Sequence, residues 1–357
     1  MRPPAVPRAV RERTLLRSLS LVIVGALIIA LITGGLSSYR NLQLAYGGYY
    51  FAALAGLTVL AGLSGQISLG QGALMAVGAY TAALLIGNQG WALVPALVAS
   101  AGVSAIIGIP LGLAASRLRG PYLAGATLAF AVGLPALADK FPGTFGGENG
   151  LTINPKTPPS WLGSNFALER WEAWVACACA LIVLFVLYNL VHSGVGRSLR
   201  AVRDDEIAAS LCGLHVGRNQ TAAFVVSAAC AGLGGGVFTV VNQLAAPGSF
   251  QVQLSLYLLA GVVIGGLGSL VGAMWGAALL VFLPNWTNDL ASSFSLSTNV
   301  SHNLPLAIYG LVLIVAMLLW PSGIQGGVRS IGSWLWHQRS RRSRSPRAPA
   351  DRPSAAS

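Results

Sequence analysis

Charge is what this sequence has least of. Asp, Glu, Lys and Arg make up 9% of its 357 residues, where a soluble globular chain carries about 25%. Set against 54% hydrophobic residues, that scarcity excludes an ordinary soluble domain and leaves a polytopic membrane protein. Acidic side chains are scarcer still, 10 against 22 basic ones. The net charge of +12 would suggest a nucleic-acid partner if it were spread over a folded surface. Instead the basic residues cluster in two tails and two loops, a pattern that sets membrane topology, so no nucleic acid is expected. The four cysteines, Cys177, Cys179, Cys212 and Cys230, show no ligand spacing and read as small packing residues. The four histidines are scattered, and neither H-E-x-x-H nor G-x-S-x-G occurs, so no catalytic centre and no metal site are expected. A phosphate-cradling G-x-x-x-x-G-K-S/T is also missing, so any ATP hydrolysis must come from another chain. No ionisable residue lies near the middle of an expected span, which argues against a proton- or ion-coupled carrier.

What is there is a succession of apolar stretches of spanning length. They fall at about 18–36, 44–62, 70–87, 91–115, 121–138, 171–192, 220–241, 253–267, 270–288 and 304–320. The fold expected is therefore all-α and polytopic, with about ten transmembrane helices. The eighth stretch is short, and Gly265, Gly266, Gly268 and Gly272 crowd its end, so it reads as broken or re-entrant. Ten spans place both tails on one side. Eighteen of the 22 Lys and Arg then share that side, and Arg40, Lys140, Lys156 and Arg170 fall on the other. The positive-inside rule makes the richer side cytoplasmic. Residues 1–17 read as a basic, disordered lead-in, 18–325 as the transmembrane domain, and 326–357 as a disordered basic tail whose arginines could touch anionic lipid.

One polar stretch stands between spans, Ser193 to Gly217. Backbone and charge of this kind are costly in lipid, so it lies in water. Arg197 to Cys212 suits a short helix, and Gly213 is placed to end it in a left-handed cap. Ile207, Leu211 and Leu214 then share a face. Arg197, Arg200, Arg203, Asp204, Asp205 and Glu206 would rim that face, and the small Ala208 and Ala209 would allow close approach. An ordinary positive-inside loop and a docking element for a soluble partner are both compatible with this composition.

A second informative stretch is GLSGQISLGQGALMAVGAYTAA, Gly62 to Ala83. Gly65, Gln66, Ser68 and Gln71 would be penalised in lipid, so the segment is either a tight interfacial turn or a wall of a translocation path. The hydroxyl of Thr127 is a further candidate for that path. A glycine-rich turn at Gly265–Gly276 faintly resembles it, and the expected topology puts both on one side.

These residues carry a resemblance. GLSGQISLGQGALMAVGAYTAALL, PYLAGATLAFA, GGENGL, GRSLRAVRDDEIAASLCGL and VIGGLGSLVGAMWGAALLVFLP occur in this order, and residues 42–325 resemble the permease subunits of branched-chain amino acid ABC importers, LivM-type. The resemblance implies transport of leucine, isoleucine or valine across the bacterial inner membrane. Its implied partners are two cytoplasmic ABC ATPases holding ATP and Mg, a second LivH-like permease, and a periplasmic or lipid-anchored substrate-binding protein. No cofactor is implied for this chain itself. The Ser193–Gly217 stretch corresponds to the coupling loop, whose general form is Glu-Ala-Ala, three residues, then Gly. Here Ile207 stands at the Glu position, with Glu206 one residue early. Gln71 replaces a more usual His, and Glu148 a small polar residue. A urea or short-amide importer is the close alternative; a stand-alone channel or carrier is the more distant one. The segment Pro155 to Pro159, with Trp161, lies in the long external loop, where it could meet the binding protein or act as a stiff connector.

Overall fold

Helices form along nearly all the apolar stretches, because a backbone in lipid must satisfy its own hydrogen bonds. The computed structural model describes residues 8–118, 120–154, 158, 166–293 and scattered positions between 308 and 327. The tenth expected stretch, the Pro155–Pro159 segment with Trp161, and the tail 326–357 lie wholly or largely outside the described residues. The helices are α1 (Arg8–Gly35), α2 (Ser38–Leu57), α3 (Gln71–Ala83), α4 (Leu93–Ala115), α5 (Pro121–Lys140) and the short α6 (Pro142–Phe145). They continue with α7 (Leu168–His192), α8 (Gly194–Asp204), α9 (Glu206–Leu211), α10 (Val216–Asn242), α11 (Val252–Gly265) and α12 (Leu270–Ser293). Nine of the ten expected stretches coincide with helices. By length and composition, seven helices among the described residues suffice to cross a membrane, and Leu270–Trp286 is a shorter apolar helix. The chain is an all-α multi-pass membrane protein, and a count of ten spans is not reached among the described residues.

One boundary departs from expectation, and one expected span changes its winding. The lead-in expected over residues 1–17 is helical from Arg8. Its Arg, Ala, Glu and Leu residues are good helix formers, and an apolar helix already nucleated beyond Leu16 extends into them at little cost. The second helix does not stop at Leu57 but widens into a π segment over Thr58–Leu63. Such wide turns recur at functional breaks. After it the backbone is irregular until Gln71, with Gly65 in the left-handed region at φ 71°.

The inner helix is α10, packed against α4, α3 and α2. Its small residues allow backbones to meet: Gly78 of α3 lies directly against the Gly232 backbone of α10. Hydroxyls then bridge neighbouring helices. Ser104 Oγ donates to the Leu74 carbonyl at 3.1 Å, and Thr239 Oγ1 to the Ala79 carbonyl at 3.0 Å. Each such bond contributes about 0.6 kcal/mol on average in a membrane protein. The outer helices α1, α4 and α5 instead present Leu31, Val94, Ile106 and Val132 outward, as lipid contact requires.

The two ends of the bundle differ. With 27 residues, α10 is roughly 40 Å long, so the segments at its two ends are far apart. At the Asn242 end a small antiparallel pair forms, β1 (Leu151–Thr152) with β2 (Leu244–Ala245). It holds the GGENGL stretch against the segment that follows α10, with Gly150 directly against the Ala245 backbone. At the Val216 end lie α8, α9 and the Gly62–Gly70 break.

Candidate functional site

The Ser193–Gly217 stretch forms two helices where the sequence suggests one. Asp205 adopts an extended conformation (φ −157°, ψ 110°) and breaks the run. Its carboxylate accepts hydrogen bonds from the Ile207 and Ala208 amides at 2.8 and 3.0 Å. The correction has a simple cause: Asp competes for backbone donors and stabilises a helix start better than a helix interior. Ser193 likewise caps α8 by accepting from the Val195 amide at 3.2 Å. Gly213 takes φ 81°, and the Leu214 amide reaches back to the Ala209 carbonyl at 3.0 Å, closing α9 in the left-handed cap expected of it.

Side chains attach this pair of helices to the bundle. Leu199 and Val202 bury one face of α8, and Ala209 is buried under α9. Arg200 donates to the Val191 carbonyl at 2.7 Å, covering an open acceptor at the end of α7. Gln220 of α10 donates to Glu206 at 2.9 Å. Arg203 Nη1 donates to the Gly62 carbonyl at 2.6 Å, while its Nε and Nη2 hold Asp204 at 3.0 and 2.8 Å. Gly62 in turn lies directly against the Gly268 backbone in the α11–α12 turn. Three segments therefore meet at one residue: α8, the α2–α3 break, and the turn after α11. On the outward side, Ile207 and Leu211 are 74% and 84% exposed. Arg197 and Ala208 are exposed beside them.

The residues read as path candidates divide into two groups. Gly65 and Gln66 line a cleft beside Arg203. Ser68, Gln71 and Thr127 are fully buried and bonded within the protein. The Gln71 amide donates to the Ala53 carbonyl at 2.9 Å and accepts from Ser227 Oγ at 3.1 Å. Thr127 Oγ1 accepts from the Leu69 amide at 3.0 Å and donates within the preceding turn of α5. Ser68 Oγ accepts from the Gly70 amide at 3.2 Å.

Comparison with known proteins now decides the family. The permease component of branched-chain amino acid transport systems matches residues 39–318. The chain belongs to that family. Within it, the LivM permease protein of Salmonella typhimurium is 34% identical over 293 residues, 75% of this chain and 66% of that protein. LivM of Escherichia coli is 33% identical over the same shares. The chain thus spans just under two thirds of the length of these LivM proteins. LivH of Escherichia coli is 25% identical over 299 residues, 78% of this chain and 92% of LivH. No solved structure matches.

Two residues of this permease-family chain escape a reading of the sequence. Gln220 looks like a plain helix-start polar residue, and its pairing with Glu206 depends on the fold. Glu172, one turn into α7, is buried with 4% exposure inside a run otherwise read as apolar. Its signal in the sequence is a second Glu three residues after Glu169. Cys212, read as a packing residue, is exposed, whereas Cys177, Cys179 and Cys230 are buried. Among the described residues no three His, Cys, Asp or Glu side chains converge for a metal.

Proposed function

We propose that this chain is a permease subunit of an ATP-driven importer that moves leucine, isoleucine or valine across the bacterial inner membrane, with both termini in the cytoplasm. Two cytoplasmic ABC ATPases bind ATP and Mg and supply the work. A LivH-like permease completes the pore, and a periplasmic or lipid-anchored binding protein delivers the substrate. The chain's own role is conduction and coupling, without catalysis.

The observation that carries this reading is the exposure of Ile207 and Leu211 on a helix held away from lipid by charged neighbours. Large apolar side chains in that setting suit a partner's groove. Burying both stabilises docking by about 3–6 kcal/mol. Arg203, Glu206 and Gln220 join the docked helices to the bundle, so movement of the ATPases passes into the break at Gly62. Replacing both apolar residues, Ile207→Asp with Leu211→Asp, tests it. The variant should fold with an unchanged melting temperature, because neither side chain packs on the bundle, and should no longer co-purify with the ATPases. Retention of the ATPases by the variant refutes the docking role. Stimulation of ATPase activity in the reconstituted complex by leucine, isoleucine and valine, set against urea and acetamide, assigns the substrate.

A further inference from the structure

We propose that the groove between α1, α2, α7 and α12 binds one anionic phospholipid, with an acyl chain in the groove and the phosphate at the start of α2. The groove has a volume of about 540 Å³, well within the range of ligand sites. Small residues keep it open: Gly47 of α2, Ala180 of α7, and Ala277 and Ala278 of α12. A Cβ added at Gly47 would meet no neighbouring atom within 4 Å. Apart from Arg40 and Gln43 the lining is apolar. Along α2 the groove runs from Arg40 to Phe51, about 16 Å by helix rise. That is close to half of the roughly 30 Å hydrocarbon core, the depth of one leaflet.

The polar groups of the groove gather at one end and select the headgroup. Arg40 and Gln43 lie one turn apart at the start of α2, and among the described residues Arg40 is the one charged side chain on the wall. Neither side chain has a hydrogen bond or ion pair among the described residues. The helix end itself is open. Ser37 makes no side-chain cap bond, and no acidic residue lies in the first turn. The first amides and the positive end of the helix dipole therefore favour an anion beside Arg40. A phosphodiester accepts from the Arg40 guanidinium through two oxygens, and the Gln43 amide donates to the ester carbonyl at the head of the acyl chain. A zwitterionic phospholipid adds a cation that no acid on this wall meets. An apolar helix of a neighbouring subunit would fill the groove but leave Arg40 unmatched.

The test is native mass spectrometry of the purified full chain, with phosphatidylglycerol and phosphatidylcholine of identical acyl chains and with glycerol phosphate as probes. Phosphatidylglycerol should form a first, saturable adduct at least ten-fold more tightly than phosphatidylcholine, and glycerol phosphate should form none. Arg40 is exposed, so its replacement leaves the packing intact; Arg40→Gln should erase the preference and Arg40→Lys should keep part of it. Gly47→Leu fills the groove without a clash; it should weaken the first adduct of both lipids at least ten-fold and leave the melting temperature unchanged. Lys140→Gln removes another exposed cation, at the end of α5, and should leave the preference as it was. Equal affinity for the two lipids overturns the proposal, as does a preference that survives Arg40→Gln or is lost in Lys140→Gln. So does a first adduct unchanged in Gly47→Leu, or a second copy of the chain bound in place of lipid.

Discussion

Arg203→Ala is the perturbation that bears most directly on coupling. It removes the 2.6 Å bond to the Gly62 carbonyl and both contacts to Asp204. A hydrogen bond to a charged group contributes about 1.5–3 kcal/mol. The Arg203 side chain is 41% exposed, which places this bond near the lower figure. The Asp204 carboxylate is 65% exposed, and that pair adds about 0–1 kcal/mol. The buried Gly62 carbonyl is then left with a desolvation cost of its own, about 1 kcal/mol at the low end. The joint should weaken by about 2.5–3.5 kcal/mol, roughly 70- to 400-fold in the equilibrium that holds α8 on the break. If Ile207 and Leu211 dock the ATPases as proposed, that contact is untouched, so the ATPases should stay bound and basal hydrolysis should continue. The assay is the number of ATP molecules hydrolysed per substrate imported by the reconstituted complex. That number should rise steeply in Arg203→Ala and moderately in Arg203→Lys, whose single ammonium still reaches one acceptor. Asp204→Asn serves as the control and should move it little. An Arg203→Ala complex with the original ratio would refute the idea that movement passes through the Gly62 carbonyl.

Two further substitutions test the packing around this joint. Gly62→Ala drives a methyl group into the Gly268 backbone, and overpacking of this kind costs about 1–3 kcal/mol; a lower melting temperature and a smaller folded yield should follow, and an unchanged melting temperature would contradict the close approach. Gln71→Leu removes the side-chain bond to the Ala53 carbonyl and strands the Ser227 hydroxyl in a fully buried site, at about 1–3 kcal/mol; thermal unfolding in detergent should show the loss, and a neutral effect would mean that water or a rearranged Ser227 takes over the bond.

The helices were legible because the lipid interior demands long apolar runs, and composition alone records those. Helix ends were less so: α1 continues to Arg8 because arginine and glutamate are as compatible with a helix as leucine once a nucleus exists. Within the polar stretch, Gly213 announced its left-handed cap, since that conformation suits glycine above other residues. The break at Asp205 was hidden, because Asp-Asp-Glu reads equally well as a charged helix face until a neighbouring amide claims the carboxylate. The meeting of Gly62 with Gly268 and Arg203 was beyond sequence reasoning. Each glycine-rich turn announces only that something comes close, and the partner lies 141 residues away in the case of Arg203. The same holds for Gln71 and Thr127, whose polar groups suggested a wetted wall and whose hydrogen-bond partners emerge only from packing.

The widened coil at Thr58–Leu63 has a mechanical corollary. Each residue of an α-helix turns the chain about 100° around its axis. A π segment accommodates one residue more than an α-helix of the same rise, so a return of Thr58–Leu63 to α geometry would swing Gly62 through about that angle. Its carbonyl would leave Arg203, and the chain from Ser64 to Gly70 would rotate as on a screw thread. A local change of winding would thus alter which groups face α8 while the closely packed α3 and α10 stay fixed relative to one another.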